Sequence, residues 1–103
     1  MTENILSINK IPIRLTDERW AHVIEEHAEL AGMKYEVLET VAKPSKILAG
    51  KKGELLAVRY LIDYNKHLVV VYREIDEYDG FIITSFMTSK TKSLNRRRQL
   101  WPN

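Results

Sequence analysis

The chain has no cysteine, and only four glycines and three prolines among its 103 residues. Without cysteine there is no disulfide scaffold, thiol nucleophile or thiolate metal site, and the composition suits a reducing compartment. With so little glycine and proline there is no flexible linker or low-complexity tract, so residues 1–103 read as a single domain. No apolar run nears the ~20 residues of a membrane-spanning helix. Met1-Thr2-Glu3-Asn4 also lacks the basic start of a signal peptide, so a cytoplasmic protein with no membrane partner is expected. Glycine-rich phosphate loops and the HExxH zinc motif are missing too, and no metal or other cofactor is expected.

Acidic residues are unevenly spread. Residues 1–42 carry a net −4 and residues 43–103 a net +6. Lys90 to Asn103 holds five basic residues and no acidic one, which makes 91–103 a basic C-terminal tail. Such asymmetry suits either a polyanionic partner or a solvated charged arm. The run Arg96-Arg97-Arg98 suits contacts to backbone phosphates and cannot exchange protons, so it binds rather than catalyses.

Hydrophobic spacing gives the elements. Ile11 to Leu15 alternates after Pro12, as an edge strand does, and its open edge offers pairing to a copy of the chain or to a partner. Thr16 is placed to cap a helix, with Asp17 and Glu18 in its first turn. Trp20, Val23, Ile24 and His27 lie on one face of that helix, which ends by Gly32. A second helix spans about Lys34 to Ala42, closed by Pro44. Ile47-Leu48, Leu55 to Ile62, Leu68 to Glu74 and Phe81 to Thr88 read as strands, with His67 in a hairpin loop. The expected architecture is α+β, with two N-terminal helices packed on an antiparallel sheet of about four strands. The tail beyond Thr91 is either a loose arm or a docked short helix.

Several side chains suit phosphodiester chemistry. His22 and His27 are about 140° apart around an ideal helix, so they cannot form the i, i+4 pair that chelates zinc. Arg59 interrupts an apolar strand and must find water, a bound anion or a carboxylate such as Glu54 or Glu74. Arg73 directly precedes Glu74 and faces the other way in an ideal strand, and either guanidinium matches phosphate oxygens. Tyr72 is a base-stacking candidate or a core tyrosine. Thr84 and Thr88 offer hydroxyls near the end of the last long strand, and Lys90 offers a point charge. Strict alternation sets Phe81, Ile83, Ser85 and Met87 against Ile82, Thr84, Phe86 and Thr88.

The run Ile13 to Leu30 (IRLTDERWAHVIEEHAEL) resembles the opening of the phage-type branch of the barnase/EndoU/colicin/RelE-like nuclease superfamily. Leu56 to Arg59, Leu68 to Glu74 (LVVVYRE) and Gly80 to Lys90 (GFIITSFMTSK) resemble that branch's strands, so the likeness covers residues 13–90. Ala28 stands where that branch often has proline. The resemblance implies helices before a curved antiparallel sheet, metal-independent RNA cleavage, and often a toxin held by an antitoxin. It implies catalytic roles for His22, His27, Arg59, Arg73 and Thr84, and substrate contacts for Thr88 and Lys90, beside Tyr72 and Arg96, Arg97 and Arg98. The expected reaction is attack by the RNA 2′-hydroxyl on the adjacent phosphorus, leaving a 2′,3′-cyclic phosphate. The rival readings are a non-catalytic RNA-binding module and a protein-interaction domain.

Overall fold

Thr16 closes one strand and caps the helix that follows it. The computed structural model describes residues 2–103, and begins with strands β1 (Thr2–Leu6) and β2 (Pro12–Thr16). Helix α1 spans Asp17–Glu26, and the Thr16 hydroxyl accepts from the Arg19 N–H at 3.0 Å. That bond satisfies one of the donors that every helix start leaves unpaired. A 3-10 turn at Ala28–Leu30 and a positive-φ Gly32 lead into α2, Lys34–Ala42. There follow β3 (Lys46–Ala49), β4 (Leu55–Leu61), β5 (Lys66–Glu74), β6 (Gly80–Thr88), the short helix α3 (Lys92–Asn95) and β7 (Gln99–Trp101).

All seven strands join one sheet in the order β1-β2-β6-β5-β4-β3-β7. Neighbours are antiparallel except β2 and β6, which run parallel through Ile13 beside Gly80 and Arg14 beside Phe81. The expected two N-terminal helices on about four antiparallel strands is therefore corrected. A hairpin precedes the helices, the sheet is larger and mixed, and a third short helix is present. The missing strands left little trace in the sequence for a physical reason. In β1 only Ile5 packs against the core, so pairing with β2, from Thr2–Thr16 to Leu6–Pro12, organises it. β7 is three residues long and held by β3.

Two further expectations change with the topology. Pro12 does not lie on an open edge, because β1 pairs along it, so the edge expected to meet a copy or partner is interior. His67 belongs to β5 rather than to the hairpin loop. The N-terminal hairpin is tied down at its tip. The Ser7 hydroxyl donates to Glu74 Oε2 at 2.6 Å, and the Asn9 amide donates to Glu74 Oε1 at 3.0 Å.

The sheet is covered differently on its two sides. Helices α1 and α2 bring Val23, Val37 and Val41 onto Ile13, Leu68, Val70 and Tyr72. On the other side Leu48, Leu56, Val58 and Val69 meet Leu94 of α3. The C-terminal tail is thus docked: α3 lies on the second face, and Trp101 pairs with Ile47 at the sheet edge. No described helix is long and apolar enough to cross a membrane.

Leu94 is the buried side chain of α3 and is 4% exposed. Leu94→Ala should cost about 2–4 kcal/mol, the usual penalty for emptying a buried leucine site. Urea denaturation checks this, and a loss below about 0.5 kcal/mol, typical of a surface position, would mean that the arm is not packed.

Candidate functional site

The face that α1 and α2 leave free is built in lateral rows across β4, β5 and β6. Tyr60, His67 and Thr88 form one row, Val58, Val69 and Phe86 the next, and Leu56, Val71 and Thr84 the third. Beyond them Arg73 stands opposite Phe81. Val71 and Tyr72 pair with Thr84 and Ile82, so Ile83 is the extra residue of a β-bulge. The bulge puts Phe81 on the same face as Thr84, Phe86 and Thr88, which corrects the strict alternation expected for β6.

Beside these rows runs a groove of about 410 Å3. Leu56, Val71 and Phe86 give it an apolar floor; Lys51, Lys52, Glu54 and Arg97 rim it. Phe86 also meets His27, their ring centroids 6.1 Å apart and the planes tilted by 37°. His27 caps α1, where its own N–H donates to the Val23 carbonyl at 2.7 Å. Its imidazole is half-buried, with Nδ1 3.8 Å from Glu29 Oε2. One phenylalanine therefore joins the end of α1 to the groove, and Thr84 is the cross-strand partner of Val71, which belongs to the groove floor.

The cations are anchored by the end of β3 and the loop that follows it. Arg73 donates to the Lys52 carbonyl at 3.0 Å, and Arg97 donates to the Ala49 carbonyl at 3.2 Å. Gly53, at φ +88°, provides the left-handed turn that brings this loop beside Arg73; a Cβ there would lie 3.3 Å from Arg73 Nη1. Glu54 sits between the arginines. Its Oε1 accepts from the Lys52 N–H at 2.6 Å. Backbone N–H groups, chiefly that of Lys52, and then Arg73 and Arg97 hold its carboxyl below the usual glutamate range. It is an ionised acceptor inside a basic rim. The neighbouring end of the face carries Arg14, whose guanidinium lies 6.0 Å from the Phe81 ring centre and donates to Asp79 at 2.8 and 3.0 Å.

Several expected site residues lie elsewhere. Arg59 is on the helix-covered face, where its Nη1 donates to Glu39 of α2 at 2.5 Å. It met a carboxylate, as a guanidinium in an apolar strand must, but neither Glu54 nor Glu74. Glu39 is held below its usual range first by the Tyr35 hydroxyl and then by Arg59. Tyr72 is fully buried in the core under the helices, and burial raises its pKa, so it is no stacking platform. His22 is exposed on α1 and makes no side-chain hydrogen bond among the described residues. Thr88 exchanges hydrogen bonds with the Lys90 backbone, which leaves it closing the strand end beside an exposed Lys90 side chain. Arg96 and Arg98 are exposed between α3 and β7, and only Arg97 of the three lines the groove. His27, Arg73, Thr84, Thr88 and Arg97 are the expected residues that the fold gathers on one face, Thr88 in its outermost row.

Glu54 was missed as a functional candidate. Its sequence signal was slight: an acid following a Lys-Lys-Gly turn, directly before an apolar strand. Compared with models of known families, with curated proteins and with solved structures, the chain matches none.

Glu39, Glu54 and Asp79 share a lowered folded-state pKa. Each therefore contributes stability that is complete above the unfolded carboxylate pKa and is lost as pH falls through the folded one. Urea midpoints should fall on acidification below about pH 5, and Asp79→Asn should flatten part of that slope. A midpoint independent of pH from 6 to 3 would contradict the assigned interactions.

Proposed function

We propose that this protein is a small cytoplasmic endoribonuclease that cleaves RNA by internal attack of a 2′-hydroxyl, leaving a 2′,3′-cyclic phosphate. The observation that carries the reading is the half-buried His27 against Phe86, beside a groove rimmed by Arg97 and an ionised Glu54, with Arg73 tied to the Lys52 carbonyl of the same rim. The resemblance of residues 13–90 to the phage-type nuclease branch supports it from a separate direction.

The roles follow from the chemistry of each group. Glu54 is acceptor-only and takes the 2′ proton as the oxygen attacks phosphorus. His27 hands a proton to the departing 5′ oxygen, which no carboxylate held ionised can do. Arg73 and Arg97, fixed by the carbonyls of Lys52 and Ala49, offset charge on the non-bridging oxygens of the pentacovalent species. Thr84, paired with Val71 of the groove floor, adds a hydroxyl donor beside it. The nucleophile belongs to the substrate, so binding has only to orient it. Arg96, Arg98 and Lys90 extend the positive surface and account for affinity rather than turnover. A small toxin restrained by an antitoxin is the biological setting that this activity suits.

Purified protein incubated with cellular RNA in EDTA should yield fragments ending in 2′,3′-cyclic phosphates. His27→Ala and Glu54→Gln should each slow cleavage about 100-fold or more, the usual worth of a general acid or base. His22→Ala should cleave like the parent protein. No cleavage of any RNA, or unchanged cleavage by a His27→Ala, Arg73→Ala double variant, would overturn the proposal. Tight, salt-sensitive RNA binding without cleavage would assign the same face to a non-catalytic RNA-binding module.

A further inference from the structure

The row at the far end of the open face lies outside the proposed centre, and its residues have no part in the reaction. Tyr60 is 43% exposed, although it sits within a central strand that is otherwise largely buried. Its ring meets His67 edge-on, with centroids 5.0 Å apart and planes at 61°. The Tyr60 hydroxyl and the Asn65 side-chain carbonyl are hydrogen-bonded, which fixes the ring from the turn that follows β4. An exposed tyrosine held against a part-buried histidine by its own turn costs apolar exposure and gives the core nothing.

The position of this pair gives it a use. His67 is the register partner of Thr88, and Phe86 is the partner of Val69, two residues along β5 on the same face. Diagonal neighbours of this kind stand about 7–8 Å apart. The His67 ring is therefore one diagonal step from the Phe86 ring that His27 touches. Exposed Lys66 and Lys90 stand at the same end of the sheet, adjoining His67 and Thr88 along the chain. Aromatic faces in series with flanking cations are what an unpaired strand of nucleic acid uses, because every base has a face to stack and every linkage a charge.

We propose that Tyr60 and His67 form a base-stacking subsite for the nucleotide adjoining the one seated at Phe86. The inference rests on the ribonuclease reading for the identity of the ligand, but it concerns binding alone. Tyr60 supplies the stacking face, His67 buttresses it, and the strand runs along β6 from the Phe86 row to the Thr88 row. A duplex would not present its bases to such a face, so the subsite takes unpaired substrate.

Fluorescence anisotropy with a labelled 2′-deoxy trinucleotide tests this, since a ligand without the 2′-hydroxyl binds without being cleaved. Tyr60→Leu should weaken binding about tenfold, the typical effect of removing one stacked base, whereas Tyr60→Phe should stay within about twofold. His67→Leu should give an intermediate loss, and a mononucleotide should not distinguish Tyr60→Leu from the parent. Circular dichroism confirms that each variant is folded. Parent-like binding by Tyr60→Leu would overturn the subsite even if RNA is cleaved, as would equal losses for Phe and Leu, or no binding by the parent. A Tyr60-dependent trinucleotide complex without RNA cleavage would uphold the subsite and remove the enzyme.

Discussion

Strands β4 and β5 carry apolar side chains on both faces, so each face of the sheet centre must be covered from somewhere. A surface of that size left in water would forfeit about 25 cal/mol per Å2 of apolar area. One face is closed by α1 and α2, through Val23, Val37 and Val41. The other is closed only in part, by Leu94 on the β3–β4 side. Between the arm's Arg97, the β3–β4 loop and the side chains of Leu56, Val71 and Phe86 lies the open groove. The site is thus a by-product of how incompletely a short C-terminal segment can roof a seven-stranded sheet.

Charge follows the same division. The acidic residues of the first 42 positions ride largely on α1 and α2, among them Glu18, Glu25, Glu26 and Glu36. Lys51, Lys52, Arg73 and Arg97 gather about the groove. Net charge is nearly balanced, so the asymmetry is a directional field rather than a global one, and it would orient an approaching polyanion towards the open face. Glu54 is the exception within that basic rim. Its anchoring by the Lys52 N–H ties the carboxylate to the residue whose carbonyl holds Arg73, three positions after the Ala49 that holds Arg97.

Much of this was legible residue by residue. α2 has the bounds its spacing predicts, because Gly32 and Pro44 punctuate it and Val37, Leu38 and Val41 face one way. The four central strands read clearly because burial on one or both faces forces β-branched and aromatic residues into them. β1 and β7 were illegible because pairing, not composition, makes them strands. Arg59 was recognisable as a group in need of a partner, but that partner comes from α2, twenty positions earlier, and no local pattern encodes such a distance. Phe81 was assigned to the wrong face because a bulge at Ile83 leaves no mark in the alternation. The separation of His22 from His27 followed directly from helix geometry, and exposure of the first agrees with it.

The claim on which everything turns is that ligand meets the sheet face opposite α1 and α2. Amide chemical-shift mapping with a 2′-deoxy oligonucleotide, which occupies the face without reacting, measures that most directly. The account predicts the largest shifts at residues 52–54, Arg73, Thr84 to Thr88, Arg97 and His27, with α2 undisturbed. Shifts concentrated on the exposed sides of α1 and α2, or scattered evenly over the molecule, would contradict it.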